Sequence, residues 1–177
     1  MIRWRSVADS KAWIRHWIAR QDVPSRRERF ILFVVRLLCL RGALVADNLF
    51  RFYLLSHSSW LGRILNRGLY LHYIFKGDDD RDLHNHPWYD SKSLILVGGY
   101  LEQLAKQTDW GFYVVTRPQN PGAINRIRRD TYHRIHMSHG PCWTLFYSGE
   151  RVDRVRGEDW SFLNVRTGQK TLWKDYK

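Results

Sequence analysis

The sequence predicts a mainly β protein behind a helical N-terminal third, and three observations carry that prediction. The chain changes texture near Gly68: before it apolar residues recur at helical spacing, and after it short apolar runs alternate with turn residues. Aromatic side chains make up 15% of the 177 residues, which suits pleated surfaces and cavities walled by flat rings. The apolar runs are also closed off by strong turn signals. These are Gly77 with Asp78-Asp79-Asp80, Gly98-Gly99, Pro118-Gln119-Asn120-Pro121-Gly122, Gly140-Pro141 and Ser148-Gly149. Short strands punctuated in this way close into a sandwich or barrel.

Residues 1–66 are expected to form a helical extension packed on a barrel made by residues 67–177. Ser10 caps a first helix in which Trp13, Ile14, Trp17 and Ile18 recur at helical spacing, and Pro24-Ser25 ends it. A second helical stretch runs from about Arg26 to Leu44, and the following Asn48–Leu55 fits helix and strand equally. The expected strands are Leu69–Phe75, Ser93–Val97, Tyr100–Leu104, Gly111–Val115, Ala123–Ile127, Thr131–Met137, Trp143–Ser148 and Trp160–Val165. Whether the last residues, with Trp173, close the barrel stays open.

The formal net charge is +12, from 29 Lys and Arg against 17 Asp and Glu. Such a balance attracts nucleic acid, anionic membranes and phosphorylated small molecules, and it also fits a basic surface with no dedicated partner. The cations are spread along the chain rather than gathered into a basic tail. Cys39 and Cys142 are the only cysteines, far apart and outside any CxxC, so a reducing cytoplasm is expected. The N-terminus, Met1-Ile2-Arg3-Trp4-Arg5, lacks the pattern of a signal peptide. The longest apolar run, Phe30–Leu40, contains Arg36 and falls short of the roughly 20 residues that span a bilayer. It reads as a buried or amphipathic helix, with a membrane-surface helix as the alternative.

His84-Asn85-His86 is the first chemical signal. Side chains two apart on an extended segment point to one face, with Cα atoms about 6.5 Å apart. Two neutral imidazoles so placed converge on one ion at about 2.0–2.2 Å. Alone, HxH is weak evidence, but here it opens HNHPWYDSKSLILVGGYLE, in which Pro87 ends the ligand segment and Gly98-Gly99 turn the strand that follows. This stretch resembles the first motif of the cupin superfamily. The position of the family's usual glutamate ligand holds Ser91, with Asp90 beside it. That departure implies a site of three histidines, as in thiol dioxygenase-like cupins, or recruitment of another carboxylate. The family's second motif supplies a later histidine, and the resemblance puts His133 of Thr131-Tyr132-His133-Arg134-Ile135-His136 in that role. Ile135 shares its face at period two; His136 and His139 stay as alternatives.

The tyrosine strand Gly68–His72, HxHPW, SLIL-GGY-E, YHRI and PCWTLFYSG follow in an order similar to a group of short phage and bacterial cupin-like proteins. That likeness covers about residues 66–177. It implies a cupin-type double-stranded β-helix, or jelly-roll barrel, and one divalent metal on His84, His86 and His133. For a phage-encoded chain it places the protein in the cytoplasm of a bacterial host. It implies no reaction, because the barrel hosts isomerases, oxygenases, decarboxylases and simple binders.

Around the metal, Glu102 and Tyr100 share a strand face, as a fourth ligand or general base and as an acid or orienting donor. Arg126 and Arg128 alternate onto one face that suits a carboxylate or phosphate, and Trp88 is expected in the core or cavity wall. Asp78, Asp79, Asp80 and Asp82 read as a solvated turn rather than a calcium loop, and His72 as a packed histidine. Imidazole donors with open positions suit Fe(II), with Zn, Ni, Cu or Mn as alternatives. The leading expectation is an Fe(II) oxygenase acting on a small molecule or modified nucleotide. Its rivals are a Lewis-acid isomerase or hydrolase, a module that sequesters an anionic ligand such as a nucleotide, and nucleic-acid binding through the basic surface. The apolar N-terminal helices would cover the barrel or serve a homodimer.

Overall fold

A computed structural model describes residues 24–38, 42–45, 48–78, 80–137, 140–151 and 160–176. The helix expected after Ser10, together with Cys39, Asp79 and His139, lies outside the described residues. Helix α1 spans Arg26–Leu38, and a short α2 spans Trp60–Leu65. The strands are β1 Gly42–Val45, β2 Leu49–Leu55, β3 Gly68–Ile74, β4 Leu83–His84, β5 Asp90–Val97 and β6 Tyr100–Thr108. Then follow β7 Gly111–Gln119, β8 Ile124–Arg128, β9 His133–His136, β10 Cys142–Ser148, β11 Ser161–Leu163 and β12 Lys170–Leu172.

Strands β3 to β10 carry the architecture. Each pairs antiparallel with its mirror image about the β6–β7 hairpin: β6 with β7, β5 with β8, β4 with β9 and β3 with β10. A chain paired this way is a long hairpin rolled on itself. It yields two six-stranded sheets, β1-β2-β3-β10-β5-β8 and β12-β11-β4-β9-β6-β7. This is the jelly-roll order, the cupin-type barrel that the motifs implied.

One stretch expected to be helical and one left open are both strands. The second helix ends at Leu38, and Gly42–Val45 pairs along the start of β2. The ambiguous segment from Asn48 resolves as β2, because its side chains alternate. Phe50 and Phe52 are buried on one face, and Arg51 and Tyr53 lie on the other, opposite His72 and Tyr70 of β3. Strand pairing thus crosses residue 66, where the sequence reading drew its boundary.

Ser25 and Glu28 close a capping box at the start of α1: the Ser25 amide donates to Glu28 Oε2 at 2.8 Å, and the Glu28 amide to Ser25 Oγ at 3.3 Å. One face of the helix buries Ile31 and Val35 against Phe50, Phe52, Leu71, Tyr73 and Trp143 on the outer face of the first sheet. A second apolar cluster, Ile74, Ile95, Tyr100 and Cys142, fills one end of the interior. Cys142 is a free thiol there, and burial pushes its pKa up to about 12.

The turn between β5 and β6 depends on Gly98, whose φ is +74°. A Cβ there would fall on the Pro141 carbonyl oxygen. We expect Gly98→Ala to cost at least about 2 kcal/mol, from the left-handed backbone and the clash together, read as a lower urea midpoint. An unchanged midpoint would show that the two segments slide apart freely.

Candidate metal centre

His84 ends β4 and His133 opens β9, where strand pairing makes the two residues direct partners. His86 follows two residues after His84, on the same side of the extended segment. The three rings form a near-equilateral triangle, with centroids 5.2 Å apart for His84–His86, 5.0 Å for His84–His133 and 5.0 Å for His86–His133. One nitrogen from each lies within 4.8 Å of the others. His86 Nε2 and His133 Nε2 are 2.8 Å apart. That separation is within hydrogen-bond reach, so the two nitrogens face each other directly.

Glu102 of β6 stands behind His133 and is fully buried. Its Oε1 accepts from His133 Nδ1 at 2.8 Å and from Asn125 Nδ2 at 2.7 Å. Its Oε2 accepts from Arg117 Nε at 2.8 Å and Gln119 Nε2 at 3.0 Å. Burial alone would raise the pKa of this carboxyl, but the bond and charge of His133, the Asn125 bond and the Arg117 charge hold it below the usual range. An ionised Glu102 fixes the proton of His133 on Nδ1 and turns the Nε2 lone pair toward the other two rings.

Burial keeps the remaining rings neutral. It lowers His84 to about 4, with His133 adding to the shift and Asp78 opposing it. His86 lies well below the ordinary value, first through burial and then because a proton on it would be repelled by Arg51 and by any charge on its histidine neighbours. His84 Nδ1 is buried without a hydrogen-bond partner. Neutral imidazoles with converging nitrogens and a carboxylate behind one of them fit a metal ion by donor chemistry.

Tyr100 is buried on the same face of β6, and its hydroxyl accepts from Asn125 Nδ2 at 3.2 Å, one residue behind the carboxylate. Trp88 stacks on His86 at 5.5 Å and crosses Phe146 at 5.7 Å, so it walls the triad. Arg126 and Arg128 share the exposed face of β8; Arg128 lines a cleft that shares Asn85 and Tyr132 with the one at His86, and Arg126 lines neither. Ser91 is buried on β5. Asp78 is a structural tie, accepting from Asn48 Nδ2 and the Ile135 amide at 2.7 Å each. His72 is a packed histidine: its Nε2 accepts from Arg51 Nε at 3.0 Å, and its ring lies 4.8 Å from that of Phe146. Sequence reasoning missed Arg51, Arg117, Gln119 and Asn125. The last three come from strands whose register alone brings them to Glu102, and the visible signal was polar residues at alternate positions of β7 and β8.

The rolled sheets form a cupin-type barrel, with the histidine triad as a candidate metal centre between its sheets. No family model matches the chain, and no curated protein is similar to it. Among solved structures it is similar to an oxalate oxidase, at 16% identity and a TM-score of 0.47, covering 60% of this chain and 53% of that one. It is also similar to the capsular polysaccharide assembling protein CapF from Staphylococcus aureus, at 14% identity and a TM-score of 0.49, covering 69% and 34%. A cupin-like protein from Thermotoga maritima matches at 13% identity and a TM-score of 0.46, covering 69% and 84%. The chain thus spans about half the length of the oxalate oxidase and about a third of CapF.

Two outcomes follow from the electrostatics. Glu102→Leu strands four donor residues and should cost about 3 kcal/mol in urea unfolding, the lower end for a buried pair because Arg117 is 45% exposed. Glu102→Gln, which keeps acceptor capacity, should cost less. Acid should also weaken the fold. His72, His84 and His86 are all held below the ordinary 6.5, so the unfolded chain takes up protons that the folded chain refuses. Stability is therefore full above about pH 6.5 and falls as pH drops, by up to about 1.4 kcal/mol per pH unit for each ring. Urea midpoints between pH 7.5 and 5, in chelator, measure this, and a flat profile would mean the rings are protonated in the fold.

Proposed function

We propose that His84, His86 and His133 hold one divalent metal ion, Fe(II) before Zn, Ni, Cu or Mn, and that the protein is a metal-dependent oxygenase of a small molecule. The observation that supports this most is the convergence of three imidazoles, two of them held neutral by burial and the third fixed in tautomer by Glu102. An ion in such a site supplies a redox-active Lewis acid with coordination positions left open. The chain's own residues do the rest. Glu102 orients His133 and is itself held by Asn125, Arg117 and Gln119. Trp88 and Phe146 present ring faces and edges beside His86, which keeps bulk water from that side of the triad. Tyr100 sits on the relay Glu102–Asn125–Tyr100 and steadies the carboxylate rather than facing the rings.

Metal analysis of anaerobically purified protein tests this reading beside a His84→Ala, His86→Ala double variant. Near-stoichiometric iron in the parent and none in the variant is the expected result, followed by oxygen uptake in a substrate screen. Zinc with no redox activity would move the protein to Lewis-acid chemistry. No metal in either protein, after reconstitution, would overturn the metal centre.

A further inference from the structure

Two clefts meet at Asn85, and the smaller of them reaches His86. One, of about 420 Å³, is lined by His86, Asn85, Tyr132 and Lys170 among others. The other, of about 770 Å³, shares Asn85, Arg129, Tyr132 and Lys170 with it and runs on past Lys106 and Arg128 to the rings of Tyr89 and Phe112. The shared residues make them one groove from the barrel rim to His86. Its charge is lopsided: Lys106, Arg128, Arg129 and Lys170 line it, against the single acid Asp130. Two arginines elsewhere in the barrel are committed, Arg117 to Glu102 and Arg134 to Gln103 and the Asp80 carbonyl. Among the described residues no carboxylate pairs with Lys106, Arg128 or Lys170. Two of the cations are set over rings, Arg129 at 5.7 Å from the centre of Tyr89 and Lys170 at 5.4 Å from that of Tyr132.

Asn85, between two of the triad histidines, ties this groove to them. Its Oδ1 accepts from the Ser161 amide at 2.6 Å, and its Nδ2 donates to the Arg129 carbonyl at 3.1 Å. The groove floor and the histidine segment are thus fixed to each other. Cations gathered in a cleft repel one another, and an anion placed among them offsets that cost. Arginine forks suit phosphate oxygens, and the neighbouring ring faces suit a flat heterocycle.

We propose that this groove binds an organic phosphate of the nucleotide class and leads it toward His86; the second half rests on the metal reading above. ADP is the probe, titrated calorimetrically into protein stripped of metal, at low and at physiological salt. The expected result is binding that weakens with salt and falls at least about tenfold in a Lys106→Gln, Arg128→Gln, Lys170→Gln variant. Arg126→Gln removes a charge from the same exposed face of β8 outside the groove, and should leave binding unchanged. No ADP binding, equal binding in the triple variant, or tight binding of a single-stranded oligonucleotide with none of ADP would each overturn the proposal. Metal loading of the same proteins separates the two readings. A triad that takes no metal while ADP binding holds sinks the metal centre alone, and metal loading with ADP binding indifferent to the three cations sinks the groove alone.

Discussion

A carboxylate with no exposed surface, Glu102, is the point on which the interior is organised. Such a group stays ionised only where donors replace the water it has lost. The protein supplies them from four residues: Arg117 and Gln119 on β7, Asn125 on β8 and His133 on β9. Meeting that demand fixes the relative position of strands from both sheets. The same bonds set the tautomer of His133, so the electrostatic requirement of one buried acid becomes the geometric requirement of the triad.

Rolling the chain makes this arrangement available. Pairing Tyr100–Thr108 with Gly111–Gln119 sets Arg117 directly opposite Glu102, and pairing with β9 sets Leu104 opposite His133. His133 in turn faces His84 across the β4–β9 pair. Two neighbouring rows of backbone partners, Arg117–Glu102–Ile135 and Leu104–His133–His84, therefore carry two of the triad histidines and their support, with no long loop intervening. Sites built on paired strands hold their geometry better than sites on loops.

Much of this was legible in the sequence, because the signals were local. Short apolar runs closed by turn residues, such as Leu69–Phe75 and Trp143–Ser148, mark strands, and His84-Asn85-His86 with the Pro87 and Gly98-Gly99 that follow it marks a candidate site. What escaped was set by distance. Arg117 and Asn125 are 15 and 23 residues from Glu102, and nothing in either stretch names its partner. Strand β2 was ambiguous because both of its faces are used: Phe50 and Phe52 lie under α1, while Arg51 and Tyr53 face His72 and Tyr70. A strand covered on both sides loses the apolar–polar alternation that would distinguish it from a helix. The two-residue β4 is too short to carry any period.

The barrel interior has one apolar end, made by Ile74, Ile95, Tyr100 and Cys142, and a polar centre. The largest cluster lies outside the first sheet, where α1 covers Phe52, Leu71, Tyr73 and Trp143. Another lies around Leu83, Tyr132 and Leu163, on the face of β4 opposite His84. Between the sheets, by contrast, sit His72, Ser91, Glu102, Asn125, His133 and Thr144, all buried. Three polar atoms of this interior, His84 Nδ1, Ser91 Oγ and Thr144 Oγ1, are buried without a partner. Each such group carries a desolvation cost on the order of 1–3 kcal/mol, and a fold selected for stability alone would have replaced them with methyl groups. Much of the apolar burial lies on the outer faces, under the helix and the strand residues beneath it. The interior is thereby free to hold groups that fit a ligand better than they fit one another.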